Sequence, residues 1–517
     1  MNELSVKQNN CDLIYRLNVK TFFDFDGDGT GDLIGVLNRL PYFVALGVNT
    51  LVLEDVFEAD TFGATDFSRV SPAVGSIEDL ESLVAATHAA DLKLHLSIPL
   101  RFTSSSYSWF EKSAVSSSLN PYREYYIWKK GKDEKGKNPP DSRKNLSGTS
   151  AWTHYGNGVW YYNLFGVNTP LLNYDNPRVR KEILEMLGVW HDRGVDGFLL
   201  ENTPFSQLGS RSVEPKNLYN AAEDLFGAED APYYRLLREI KDKFKKDISV
   251  ILNAERGMDA RVYSYLLSGE TSVANGVILD SPLHHNQLIP KNFSLKGFIK
   301  NYLNVQNESA TGSLLYAFED GKHGRLLSDF VPSSDNAFAG AKMLSVLFFC
   351  AKITPVLYQG QEIGMYESSK KCFEVCARSP FAWDNRSFAG FTDGDYCAFS
   401  VNDNYRKINM MAESSDPESP LSFYRKMISF RKTSEALTEG GFEDHSKGNV
   451  IAFLRPSPAE TLLVIANLTE SHLNYKLPTP LSTKEAECVL STYALVGKTL
   501  HETIGLRPFE ARIYRVK

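Results

Sequence analysis

Two glutamates in this sequence each follow a largely apolar run that is typical of a buried parallel strand. Glu201 comes after the run 195–200, and Glu255 comes after the run 249–254. When such strands alternate with helices and close into a barrel, the carboxyl ends of the strands carry the catalytic groups. The pattern therefore indicates two candidate catalytic acids, although an ordinary buried strand that ends in a solvated acid would look the same.

A second group of acids lies in a short glycine-rich loop near the N-terminus. Carboxylates at its positions 1, 3, 5 and 9, with a backbone carbonyl at position 7, could surround a hard cation with oxygen ligands from Asp24, Asp26, Asp28, Thr30 and Asp32. An EF-hand would need Glu at position 12, which is Gly35, and a helix before the loop, where a strand is predicted. We therefore expect a calcium loop of another type; the alternative is an acidic turn without a metal.

The elements that would hold these acids repeat a helix–loop–strand pattern. Before Glu201, Asn176 and Pro177 open a helix with apolar residues at helical spacing, and further upstream Ser76 and Asp79 resemble a capping box. Strand-like runs recur along the chain, at 14–19, 46–53 (a helix-to-strand passage), 92–98, 276–280 and 314–318. This recurrence predicts a (β/α)8 TIM barrel of the α/β class.

Two stretches interrupt this pattern. From about 103 to 172 the periodicity lapses, and a stretch this long predicts a functional loop or a small domain. Near the C-terminus, short strand-like runs follow one another at 450–454, 461–466, 472–477 and 511–514. Their regular spacing predicts an antiparallel β-sandwich that closes the chain.

Composition excludes several classes of function. The 517 residues carry a net charge of −7 and a pI of about 5.9, which argues against a nucleic-acid partner. Hydrophobic residues at 43% and charged residues at 23% are typical of a soluble globular protein with large cores. The sequence contains neither a His/Cys cluster with the spacing of a metal-hydrolase site nor a glycine-rich phosphate loop after a strand.

Asn-x-Ser/Thr sequons point to an extracellular environment, and they occur at Asn145, Asn292, Asn307, Asn385 and Asn467. Among the six cysteines, Cys372 and Cys376 flank a short loop and could pair, whereas Cys350 lies in an apolar run and is expected to be a buried thiol. The N-terminus has no apolar segment of a signal peptide. We therefore expect a part of a longer protein that is secreted or held at the extracellular face of the plasma membrane.

Longer motifs carry a family resemblance. The acidic loop 24–32, the Gly-Val-Asp-Gly-Phe at 194–198, and the segments 354–365, 378–384 and 401–405 resemble motifs of the α-glucosidase/maltase branch of the α-amylase superfamily, glycoside hydrolase family thirteen. The similarity spans essentially the whole chain. It implies a barrel in two parts, 1–102 and 173–437, with an inserted B domain at 103–172 and a C-terminal β-sandwich at 438–517.

The resemblance also assigns roles to individual residues. A retaining glycosidase needs a nucleophile and a general acid about 5–5.5 Å apart. Glu201 takes the position of the family's nucleophilic Asp, Glu255 that of the general acid and Asp320 that of the third acid. The family's Arg two residues before the nucleophile is replaced by Leu199. The Asp, Asn and His of the third strand are absent from 97–102, and the sugar-gripping Tyr-Asp pair near 62–63 is absent too.

These departures lead to the main functional prediction. Displacing a nucleophile by about 1 Å costs on the order of 100-fold in rate, so turnover is expected near background and the three acids are expected to be non-functional remnants. The chain then resembles the ectodomain of a heavy chain of a heteromeric amino-acid transporter, which escorts a multispanning light chain, with Cys11 as a candidate linking thiol. The alternatives are an atypical active α-glucosidase or transglycosidase that uses Glu201 and Glu255, and a secreted carbohydrate-binding or receptor protein.

Overall fold

The computed structural model describes residues 13–61, 63–115, 119–145, 148–163, 165–203, 232–245, 247–254, 266–267, 272–279, 294–308, 314–321, 324–331, 334–366, 378–482, 485–494 and 500–517. In these residues the strands are β1 (Ile14–Asn18), β2 (Thr50–Glu54), β3 (Phe57–Ala59), β4 (Ala64–Val70), β5 (Lys93–Ile98), β6 (Trp128–Lys130), β7 (Trp152–Gly156), β8 (Val159–Tyr162), β9 (Gly197–Thr203), β10 (Ser249–Ala254), β11 (Gly276–Leu279), β12 (Leu314–Ala317), β13 (Thr354–Tyr358), β14 (Glu443–Asp444), β15 (Val450–Pro456), β16 (Thr461–Asn467), β17 (Leu473–Lys476), β18 (Ala486–Ser491), β19 (Thr503–Leu506) and β20 (Ala511–Val516).

The helices of the same residues are α1 (Val19–Phe22), α2 (Leu33–Asn38), α3 (Leu40–Leu46), α4 (Ile77–Ala89), α5 (Ser108–Ala114), α6 (Pro177–Asp192), α7 (Pro232–Phe244), α8 (Leu295–Glu308), α9 (Leu326–Phe330), α10 (Ala337–Cys350), α11 (Met410–Ser414), α12 (Pro420–Thr433), α13 (Glu435–Thr438) and α14 (Thr479–Ser482). None of them is both long and apolar enough to cross a membrane.

Eight parallel strands close into a barrel in the order β1-β13-β12-β11-β10-β9-β5-β2. The predicted fold class is therefore confirmed. Local sequence signals explain where two helices of the barrel begin. The capping box of Ser76 and Asp79 is present at the start of α4, and Asn176 caps α6 with Pro177 at the first helical position.

Side chains alternate between the inside and the outside of the barrel, because a strand has a period of two. The inside holds a cluster of aliphatic residues from seven strands, namely Ile14, Val52, Leu199, Ile251, Ile278, Leu315, Ala317 and Val356. Two residues further along four of these strands, toward their carboxyl ends, come Arg16, Glu54, Glu201 and Asn253. The interior is thus apolar in its middle layer and polar in the layer above.

Beneath the aliphatic layer, His95 of β5 lies against Gly197 of β9. A Cβ at Gly197 would stand 2.7 Å from Nε2 of His95, so only glycine leaves room for the imidazole ring. Burial lowers the pKa of His95 to about 4. The ring is therefore neutral at physiological pH and adds no charge to the barrel interior.

Two further units flank the barrel. Between β5 and α6 the chain forms a three-stranded antiparallel sheet, β6-β8-β7, where Phe110 of α5 stacks on Trp128 and meets Tyr161 edge-on. After the barrel, the strands form a five-stranded sheet, β14-β15-β16-β20-β18, and a two-stranded sheet, β17-β19. The second unit is the antiparallel C-terminal domain that was predicted.

Candidate active site

Glu201 lies inside the barrel near the carboxyl end of β9 and is 5% exposed. Oε1 of Glu201 accepts a hydrogen bond from Nη2 of Arg16 at 2.8 Å and a longer one from the hydroxyl of Ser97 at 3.4 Å. Oε2 accepts from Nδ2 of Asn253 at 2.8 Å. Three strands, β1, β5 and β10, therefore fix the orientation of this carboxylate.

Arg16 is completely buried, and it also binds Glu54 at the end of β2. Nε and Nη2 of Arg16 donate to Oε1 of Glu54 at 2.8 and 2.5 Å. Burial lowers the pKa of Arg16, but the charges of Glu54, Glu201 and Asp320 outweigh this effect and hold the pKa above its ordinary value. The guanidinium is permanently charged, and its contact favours the ionised form of Glu201.

The other two predicted acids are Asp320, which the structure describes, and Glu255, which it does not. Asp320 follows β12, is 6% exposed, and acts electrostatically on Arg16, so it belongs to the same cluster as Glu201. Glu255 lies outside the described residues; the strand that precedes it, β10, ends at Ala254.

Arg16, Glu54, Ser97 and Asn253 were not among the residues predicted for this site. A signal was present, because Arg16 places a charge between apolar neighbours in a run that was predicted to be a strand. A buried guanidinium needs hydrogen-bond acceptors, and a carboxylate also offsets its charge, so acids at neighbouring strand ends are natural partners. Which acids those are depends on the strand order of the closed barrel.

The rim of the barrel differs from the family motifs in its chemistry. Phe102, at the position of the family's third-strand His, packs edge-on against the ring of Phe165, with centroids 5.4 Å apart. Gly63 lies directly over Phe102, since a Cβ there would be 3.0 Å from Cε2 of the ring. Nearby, the hydroxyl of Ser104 donates to Asp60. This part of the rim presents an aromatic surface, and Phe165 is partly exposed.

The acidic loop brings three of its predicted ligands together. Carboxylate oxygens of Asp24, Asp26 and Asp28 lie within 4.8 Å of one another. Although Asp26 is exposed, desolvation by the surrounding loop raises its pKa, and the charges of Asp28 and Asp24 raise it further. The backbone N–H groups of Gly27 and Gly29 donate to the two oxygens of Asp24, each at 2.8 Å. The donor set and its mutual repulsion fit a hard cation.

Asp32 lies outside this group of three carboxylates, and its role as a ligand stays a prediction. Oδ1 of Asp32 accepts from the N–H of Gly35 at 2.7 Å, which caps α2, and Oδ2 accepts from the N–H of Phe25 at 2.7 Å. Thr30 donates its N–H to Asp28 at 2.7 Å. The carboxylate of Asp32 thus closes the loop onto the helix.

The predicted glycosylation sites differ in accessibility. Asn145 and Asn467 are buried, and the side-chain amide of each donates to neighbouring oxygens, at 2.7 Å to Asn163 and at 2.7 Å to the carbonyl of Ser471. A glycan on either residue would require its side chain to leave these contacts. Asn307 and Asn385 are exposed, and Asn292 lies outside the described residues; all five sites stay predictions.

The predicted disulfide partners Cys372, Cys376 and Cys11 also lie outside the described residues. Cys350 is a free, buried thiol, as predicted, and burial raises its pKa to about 12. The extracellular location stays a prediction.

Fold and site together define a (β/α)8 barrel protein with carboxylates gathered at the carboxyl ends of its strands. The sequence matches the alpha amylase catalytic domain over residues 16–440 and the alpha amylase C-terminal all-beta domain over residues 442–506. The chain therefore belongs to the alpha-amylase family.

Several relatives align with the chain from end to end. The oligo-1,6-glucosidase of Halalkalibacterium halodurans is 28% identical and covers 97% of this chain and 98% of its own length. The trehalose-6-phosphate hydrolase of Bacillus subtilis is 27% identical, with coverages of 98% and 97%. Among solved structures, isomaltulose synthase from Protaminobacter rubrum is 25% identical, with a TM-score of 0.88 over 99% of this chain and 100% of that chain.

These comparisons contradict the predicted pseudo-enzyme that escorts a transporter light chain. The full-length relatives bear the names of a glucosidase, a hydrolase and a synthase. The structure supplies a physical reason for the error. One of the departures behind the prediction was the missing arginine at Leu199, but Arg16 brings a guanidinium to Glu201 from a different strand.

Proposed function

We propose that the chain is a retaining α-glucosidase or transglycosidase that acts on short α-glucosides, with Glu201 as the nucleophile and Glu255 as the general acid. The observation that carries the proposal is the set of contacts at Glu201. Arg16 and Asn253 each hold one of its oxygens at 2.8 Å, which favours the ionised carboxylate and orients it inside the barrel. The names of the full-length relatives support the substrate class.

The reaction takes two steps. An oxygen of Glu201 attacks the anomeric carbon while the bond from that carbon to the leaving oxygen breaks, and the acid of Glu255 gives its proton to the leaving oxygen. Water, or a hydroxyl of a second sugar, then attacks the glycosyl ester. Glu255 takes the proton from this acceptor, and Glu201 departs as a carboxylate, which restores the starting state.

Glu255 lies outside the described residues. Its assignment as the general acid rests on its place in the sequence, directly after the residues of β10, and on the family resemblance.

Hydrolysis of a chromogenic α-glucoside, together with trapping by a fluorinated glucosyl fluoride, tests the proposal. Because the fluorine slows the second step, the glycosyl ester accumulates, and peptide mass spectrometry should locate it on Glu201. Glu201→Gln and Glu255→Gln should each lower kcat/KM on the order of 1,000-fold or more. Glu185→Gln, on the outer helix α6, serves as the matched control and should retain the wild-type rate. Absence of both turnover and label in the folded wild type would refute the proposal.

We also infer that the acidic loop binds calcium through Asp24, Asp26 and Asp28. The proximity of their oxygens and the raised pKa of Asp26 support this. The ion would supply a structural charge that holds the loop after α1 in place. None of the catalytic steps requires it.

A further inference from the structure

Arg16 is shared between two carboxylates. Two of its nitrogens, Nε and Nη2, donate to Glu54 at 2.8 and 2.5 Å, whereas Glu201 receives one hydrogen bond from Nη2 at 2.8 Å. Glu54 therefore accepts more hydrogen bonds from Arg16 than Glu201 does, although Glu201 is the proposed nucleophile. Any change at Glu54 alters how strongly Arg16 holds Glu201.

These three side chains lie away from solvent, where charges interact strongly. The side-chain exposures are 0% for Arg16, 10% for Glu54 and 6% for Glu201. In such an environment the effective dielectric constant is well below that of water, so each charge acts several times more strongly on its neighbours. Protonation of one carboxylate is thereby coupled to the charge of the other.

The remaining groups around Glu201 come from several elements. Ser97 and Asn253 are uncharged, and His95 lies one layer lower and is neutral. Burial raises the pKa of Tyr358 on β13, so its phenol stays protonated. Asp320 after β12 adds a negative charge, while Arg378 lies further out, 4.0 Å from Asp55. Arg16, Glu54 and Asp320 are therefore the charged groups of the described residues that bear most directly on the ionisation of Glu201.

We propose that Arg16 and Glu54 are positioning residues that together set the protonation state of Glu201. Arg16 keeps the nucleophile ionised and oriented. Glu54 competes with Glu201 for the hydrogen-bond donors and the positive charge of Arg16. Glu201 is therefore held in place without its negative charge being fully neutralised, and Glu201 stays nucleophilic. This inference rests on the proposed function, because the ionisation of Glu201 controls turnover only if Glu201 is the nucleophile.

Substitutions of Arg16 and of Glu54 should shift the acidic limb of the pH profile of kcat/KM in opposite directions. Arg16→Gln removes the cation and leaves two carboxylates side by side, so the acidic limb of kcat/KM should move to higher pH by about one unit or more. Glu54→Gln removes one of the negative charges that compete with Glu201 for Arg16, so the same limb should move to lower pH by about one unit. A purely structural role would lower the rate at every pH and leave the limb in place.

Three matched variants complete the experiment. Arg16→Lys keeps the charge but cannot bridge both carboxylates, so kcat should fall while the acidic limb stays near its wild-type position. The double variant Arg16→Gln/Glu54→Gln removes both charges and should return the limb toward the wild type. Glu239→Gln breaks an equivalent pair with Arg180 on the outer helices, 3.0 Å long, and should leave the profile unchanged.

The outcomes separate this inference from the proposed function. Opposite shifts support the positioning pair, and an unmoved limb in both single variants of an active enzyme overturns it. If Arg16→Gln does not fold, the direction of the Glu54→Gln shift decides alone: a move to lower pH supports the pair, and no move overturns it. If the wild type itself forms no glycosyl ester on Glu201, both the proposed function and the positioning pair are overturned.

Discussion

At the scale of single residues, buried carboxyl groups have opposite electrostatic environments. Glu201 has a guanidinium beside it, whereas Glu413 on α11 is 2% exposed and lies near the buried Glu362. Oε1 of Glu362 accepts hydrogen bonds from the hydroxyls of Tyr15 and Tyr42, each at 2.6 Å. Glu413 accepts from the N–H of Leu421 at 3.1 Å. Burial, together with the charge of Glu362, raises the pKa of Glu413 to about 9.

Glu413 should therefore make the stability of the protein depend on pH. A folded-state pKa raised from 4.5 to about 9 favours folding below pH 4.5, and this contribution is lost as the pH rises toward 9. Glu413→Gln removes the titration, so the variant should gain about 2–4 kcal/mol relative to the wild type between pH 5 and pH 8. Urea unfolding at the two pH values measures this gain.

The exposed Glu418→Gln is the control for the same chemical change outside the buried environment. It should alter the free energy of unfolding equally at both pH values. If Glu413→Gln also has a pH-independent effect, then Glu413 is ionised in the folded protein and the predicted shift is wrong.

At the scale of elements, the acidic loop couples a candidate ion site to a helix. Asp24 organises the turn through the N–H groups of Gly27 and Gly29, and Asp32 caps α2 at the far end. Gly29 has a φ of +92°, and a Cβ there would stand 2.7 Å from the ring of Tyr396. The loop is thus fixed on both sides, and its three clustered carboxylates must be held together against their mutual repulsion.

Chelation of calcium should therefore lower the melting temperature. Saturation of a site at 100 times its Kd adds about 2.7 kcal/mol of stability, which corresponds to roughly 2–3 °C for a protein of this size. Differential scanning fluorimetry with and without a chelator measures the difference. Asp28→Asn should abolish the dependence, whereas Asp32→Asn should keep it, because an asparagine still caps the helix. A wild type that melts at the same temperature in both conditions would count against calcium binding.

At the scale of the whole molecule, one core extends from the barrel into the C-terminal domain. Phe453 of β15 and Tyr302 of α8 belong to the same buried cluster, with ring centroids 6.2 Å apart. The buried Arg455 of β15 donates to the carbonyl of Cys350 at 2.7 Å and to that of Gly440 at 3.0 Å. Burial, with the charge of Arg431, lowers the pKa of Arg455 to about 9. Arg455 therefore joins the end of α10 to the segment that leads into the sheet.

Arg455→Met should weaken the attachment of the C-terminal domain. The substitution leaves several buried carbonyl groups without their donor, at a cost of roughly 3–5 kcal/mol. Calorimetry should show a lower melting temperature, and limited proteolysis should cut near residue 440. Arg515→Met, on the exposed side of β20, should change stability by about 0.5 kcal/mol or less. Equal effects of the two substitutions would show that Arg455 does not hold the domains together.

The sequence by itself determined the elements and their class, because these depend on local interactions. Largely apolar runs identified seven of the eight barrel strands; β13 was noted only as part of a family motif, and β14, β18 and β19 of the C-terminal domain were missed. The capping residues Ser76 and Asn176 located two helix starts, since a cap contacts only the next turn. The family motifs placed Glu201 at the end of its strand.

Only the tertiary structure decided what surrounds Glu201. Arg16 reaches Glu54 across 38 positions and Glu201 across 185 positions of the chain, and both contacts exist because β1, β2 and β9 close into one barrel. Leu199 alone suggested that the nucleophile had lost its cation. The positive charge comes from Arg16 on β1, a different strand. Strand order is set by packing of the whole barrel, so no local sequence pattern reveals it.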